Sequence, residues 1–171
     1  MLLNYNRAGA VWAMCLAGLL GAGMASAQSP NPISIDIGQA TANKGDTALV
    51  PVQLHVGNTR PTAGVLWLRY DPAKVQPDVN AFEFVVVDVE GNPILDNQGN
   101  AMTSHGPVRR EQVLEDASKQ GDFEIHPEGS ISIAYYGVNS NSIAPGAMMT
   151  VAFKVQPGVA DNIVIPIEGA E

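Results

Sequence analysis

The chain has 171 residues, 46% of them apolar, and 17 acidic side chains against 9 basic give a net charge of −8 at pH 7. That is length and apolar content enough for one domain with a core of its own. The acidic balance argues against recognition of a phosphate backbone, which asks for clustered Lys and Arg, and a single cysteine rules out a disulfide within the chain or a thiolate metal cluster.

Arg7, the uncharged apolar run from Ala8 to Met24 and the triplet Ala25-Ser26-Ala27 read as a secretory signal peptide over residues 1–27. The run approaches the roughly 20 residues that span a bilayer. Its Gly- and Ala-rich makeup and cleavage-like end favour removal instead. Cleavage before Gln28 takes away Arg7 and Cys15, leaving an exported, cysteine-free and still more acidic chain with no membrane span. The expected location is secreted: extracellular, cell-surface or periplasmic. Gln28–Pro32 is a linker, and 33–171 one domain.

Along that domain, Ile33, Ile35 and Ile37 alternate with Ser34, Asp36 and Gly38, which predicts a first strand. A second alternates Leu49, Pro51 and Gln53 with Val50, Val52 and Leu54, and a third pairs Leu66, Leu68 and Tyr70 on one face with Val65, Trp67 and Arg69 on the other. Gly57-Asn58-Thr59-Arg60-Pro61 between them is turn chemistry, and Asp71-Pro72 ends the third strand because proline cannot donate to a ladder. Phe82 to Val89 predicts a strand whose Val85-Val86-Val87 run implies burial on both faces. From Glu90 to Gly129 the alternation breaks. Two turn-rich stretches around Ile94-Leu95 predict a small hairpin, and Val108, Val113, Leu114 and Ala117 predict a short surface helix within 108–119. This reads as an insertion. Ser130 to Gly137 alternates again, with Ile131, Ile133 and Tyr135 opposite Ser132, Ala134 and Tyr136. Ala147 to Val155 and Ile163 to Ile167 complete about eight strands, with no internal repeat. Short strands at regular spacing, bounded by Gly, Pro and Asn, predict an all-β jelly-roll sandwich.

Chemistry is sparse in this pattern. His55 falls in a strand and reads as half-buried, while His105 and His126 read as solvated residues of the insertion; none has a second ligand type at metal spacing. No nucleophile elbow, phosphate loop or His-Glu-x-x-His helix is present, so no catalytic residue is assigned. Asp88, Glu90, Asn92, Asp96, Asn97 and Asn100 could offer oxygens to calcium, but turn formation accounts for them, and no metal or cofactor is expected. Trp67 is the one tryptophan beyond residue 27. Either the insertion folds over it, or it stands on a free sheet face beside Val65 and Arg69, where Trp and Arg are the types that anchor partners.

Two blocks carry a resemblance. Gly45-Asp46-Thr47, Val52 and Tyr70-Asp71-Pro72 followed by Val75 form the first; Gly146 to Gly158 and the apolar stretch to Ile167 form the second. In that order they resemble the two halves of a cohesin domain, over roughly Ile33–Pro77 and Ser130–Ile167. The resemblance implies a jelly-roll module without chemistry of its own that binds dockerins, calcium-loaded helix pairs, in polysaccharide-degrading assemblies. It implies that the partner sits on the flat face carrying Ala63, Val65, Trp67 and Arg69; Tyr135 is a further partner-binding candidate. Cellulosomal cohesins often carry Asn and Asp near the first two positions, where this chain has Ala63 and Val65. The family also has a further carboxy-terminal strand, and this chain, which ends at Glu171 just after Ile167, is expected to lack it. A carbohydrate-binding module, contacting polysaccharide through Trp67, Tyr135 and Tyr136, is the alternative.

Overall fold

Apolar residues at every second position give a strand one face to bury, and a second sheet packed on that face is the stable way to bury it. The computed structural model, which describes residues 33–88, 90–160 and 167–170, has this arrangement. The segments expected over 1–27 and 28–32, and all but Ile167 of the strand expected over 163–167, lie outside the described residues.

The strands are β1 (Ser34–Ile37), β2 (Thr47–His55), β3 (Gly64–Arg69), β4 (Val75–Pro77), β5 (Phe82–Val85), β6 (Thr103–Gly106) and β7 (Val108–Arg110). A one-turn helix α1 (Gln112–Asp116) follows, then β8 (Gln120–His126), β9 (Ser130–Tyr136), β10 (Gly146–Val155) and β11 (Glu168–Ala170). One sheet runs β1-β2-β10-β4, with β7 also on β10; the other runs β11-β3-β9-β8. The expected all-β sandwich with one short helix is present.

Between the sheets, Val50, Val52 and Leu54 of β2 and Val151 and Phe153 of β10 meet Leu66 and Leu68 of β3 and Ile131 and Ile133 of β9, all buried. Tyr70 bridges the layers, its ring centroid 5.4 Å from that of Phe153. β10 is covered on both faces. Its inward set is Met149, Val151, Phe153 and Val155, while Met148, Thr150 and Ala152 are buried too. A bulge between Ala147 and Met149 admits Met148 as an extra residue. On the outer side, Glu111 accepts from the Thr150 hydroxyl at 2.7 Å and from Arg109.

The stretch from 90 to 129 is not an insertion. It supplies β7 and β8, one strand to each sheet. The helical reading of 108–119 splits in two: Val108–Arg110 pairs with Met149–Val151 of β10, and only Gln112–Asp116 is helical. Val108 and Leu114 both reach the core, but from different elements, Val108 from β7 and Leu114 from α1. The helix closes with the Ser118 N–H on Glu115 O and the Lys119 N–H on Leu114 O, Ser118 taking the left-handed conformation at φ 53°.

β5 is also a correction. It pairs only with β6, so Phe84 and Val85 are exposed rather than covered on both faces. Beyond it the chain makes a small three-armed unit. Val86 donates to Met102, Met102 to Ile94 and Ile94 to Val86, at 2.8–2.9 Å. Two turns of Asp-x-x-Gly-Asn sequence with matching Asp hydrogen bonds separate the arms, a short repeat that corrects the expectation of no internal repeat. Asp88 Oδ1 accepts from the Glu90 and Asn92 amides, and Asp96 Oδ1 from those of Gln98 and Asn100. Gly91 and Gly99 supply the positive φ that each turn needs, at 89° and 85°.

Candidate partner-binding face

Antiparallel register puts directly opposed residues on the same side of a sheet, so the outer face of β3, β9 and β8 can be mapped row by row. Arg69, Ser130 and His126 form one row; Trp67, Ser132 and Glu124 the next; Val65, Ala134 and Asp122 the third. Tyr136 and Gln120 close the series. Beyond β3, β11 sets Glu168 opposite Arg69 and Ala170 opposite Trp67.

This face is bare where its reverse is sealed. Val65 keeps 59% of its surface exposed, Trp67 39% and Tyr136 46%, while Leu66 and Leu68, on the other side of the same strand, keep 5% and 0%. An apolar centre therefore lies open, with Arg69 at one end and Asp122 and Glu124 along the β8 edge. Of the two outcomes left open for Trp67, the exposed one holds. The one ring stacked on it is His126, at a centroid distance of 4.9 Å and 19° between planes. His126 Nε2 shares a 3.0 Å hydrogen bond with Ser132 Oγ.

Tyr135 does not belong to this face. It is buried with Ile131 and Ile133, and its hydroxyl fills the space in front of Gly64, the residue opposite it on β3. Burial pushes its phenol above the ordinary value. The alternation within β9 separates Tyr135 from Tyr136, and the outward ring is Tyr136.

The histidines depart from their expected settings. His105 lies in β6, opposite Glu83. His126 ends β8 half-buried under Trp67. His55 is exposed on β2 and pairs with Asp36 at 3.0 Å. Asp88 and Asp96 hold their turns, and hydrogen bonds from the Asn92 and Asn100 amides, respectively, are the main cause of their lowered pKa values. Among the described residues, no three His, Cys, Asp or Glu side chains gather where one metal ion could be held. A groove lies between the edges of the two sheets, lined by Ile35, Asp36, Ile37, Gly38, Gln53 and Gly169, with no nucleophile and base facing each other.

Sandwich and face together leave one open, partly apolar sheet surface. No protein-family model and no curated protein matches the sequence. Solved structures match the fold of this chain, and that fold is the cohesin fold. A cohesin in a type I cohesin–dockerin complex from Clostridium thermocellum superposes with a TM-score of 0.54 at 18% identity, over 81% of this chain and 82% of that one. The sixth cohesin of scaffoldin B from Acetivibrio cellulolyticus, in complex with a Cel5 dockerin mutant, gives 0.52 at 12% identity over 81% and 82%. The second type II cohesin module of the adaptor scaffoldin ScaA from the same organism gives 0.50 at 16% identity over 81% and 70%.

Proposed function

We propose that this chain is a non-catalytic, exported docking module, and that its outer β3-β9-β8 face binds a dockerin-type protein. The observation that carries the reading is the exposed pair Val65 and Trp67 at the centre of a sheet whose reverse side is sealed. A monomer leaves such an apolar centre uncovered at a cost, and a partner's surface relieves it. The cohesin fold supports the same reading, since two of the matched cohesins are seen holding dockerins. Asp122 and Glu124 along the edge favour a partner that brings Lys or Arg to that side. Export rests on Arg7, the apolar run after it and Ala25-Ser26-Ala27.

The test is capture by immobilised chain of a calcium-loaded dockerin, beside retention on insoluble cellulose. The expected result is dockerin capture that Trp67→Ala abolishes. Retention on cellulose without dockerin capture would favour polysaccharide, held by Trp67 and Tyr136.

A further inference from the structure

We infer that His126 is a positioning residue for this face, holding the Trp67 indole in one orientation for the incoming partner. The inference rests on the reading of the face as a protein-docking surface.

β3 and β8 are not neighbours; β9 runs between them. Two strand spacings separate their backbones, about 9.6 Å, yet the rings of Trp67 and His126 lie 4.9 Å apart. The two side chains must lean toward each other across β9. They can do so because the β9 residues beneath them are Ser132, opposite Trp67, and Ser130, opposite His126. Ser132 also anchors the imidazole at 3.0 Å. Any larger side chain at 132 would stand where the rings meet.

The consequence is energetic. An exposed Trp with two free χ angles loses that freedom when a partner clamps it, and the loss weakens binding. Trp67 is already held: an imidazole lies on its face, and that imidazole is tied to Ser132. Its uncovered surface is presented in one pose, as suits a central anchor.

Near-UV circular dichroism of the full chain in a Trp12→Phe background reads Trp67 without any partner, and titration with a calcium-loaded dockerin reads affinity. His126→Ala is expected to remove most of the Trp67 band, leave the melting temperature unmoved, and weaken binding about 3- to 10-fold. His126→Phe, which keeps a ring, should restore both signals. His126→Gln keeps only the bond to Ser132 and should restore neither. Ser132→Leu, a wedge between the rings, should reproduce His126→Ala. An unchanged Trp67 band in His126→Ala would overturn the inference, as would failure of His126→Phe to restore affinity. Binding lost in Trp67→Ala but kept in His126→Ala would overturn it while the docking reading stands. Dockerin binding that survives Trp67→Ala would overturn the docking reading itself, and the positioning role with it.

Discussion

Lys119, with no exposed surface, donates from Nζ to two oxygens of Asn139, the side-chain oxygen at 2.8 Å and the backbone carbonyl at 3.1 Å. Asn139 in turn donates from Nδ2 to Ser118 O, and its Oδ1 accepts from the Asn141 amide. One asparagine thus ties the loop after β9 to the end of α1. A buried cationic donor that loses an acceptor costs about 3 kcal/mol. Asn139→Leu is therefore expected to lower stability by about that much, and Lys119→Met by clearly less, because it removes the charge along with the bond. Denaturant midpoints of the two variants check the order.

Gly64 has no room for a side chain. A Cβ there would meet the hydroxyl of Tyr135 and lie 2.5 Å from Cζ of the same ring. Gly64→Ala is expected to destabilise by about 1–3 kcal/mol through overpacking. Combining it with Tyr135→Leu should cost less than the two changes summed, because the smaller side chain vacates the contested space. A double-mutant cycle of thermal unfolding measures this coupling.

Trp67→Ala separates stability from binding. A half-exposed ring on the outer face leaves no core cavity behind, so the expected stability loss is below about 1 kcal/mol. The affinity loss for a dockerin-type partner should reach about 2 kcal/mol or more. A loss of stability of about 3–5 kcal/mol instead would mark Trp67 as a core residue.

Acid should weaken the β7–β10 join through Glu111. Burial alone raises this carboxyl, but the hydrogen bonds from Thr150 and Arg109 and the charge of Arg109 outweigh it, and the net pKa is lowered from 4.5. A carboxyl lowered in the folded state contributes stability above its unfolded value and loses it as pH falls through its folded value. The contribution is thus complete above about pH 4.5 and disappears below it. Glu111→Gln should flatten that part of the stability–pH curve, read from melting temperatures between pH 5 and pH 2.

Export predicts a processed amino terminus. Mass spectrometry of the protein recovered outside the cytoplasm should find Gln28 first, with Arg7 and Cys15 absent.

Local pattern was enough for the strands with one apolar and one polar face. Leu66, Leu68 and Tyr70 against Val65, Trp67 and Arg69, and Ile131, Ile133 and Tyr135 against Ser132, Ala134 and Tyr136, alternate within a single strand, so their sides follow from the period of two. The same alternation already sets Tyr135 inward, and only its place among the partner-binding candidates needed correcting. β8 was not legible in this way. Gln120, Gly121, Asp122 and Glu124 are poor strand formers, and they are extended because β9 pairs with them along its whole length. Val113, Leu114 and Ala117 have helical spacing, and Val108, read with them, belongs to β7 instead. The meeting of Trp67 with His126 lies furthest from the sequence. It joins two strands that are not paired, across two serines small enough to let the rings pass, and strand order and register alone decide that.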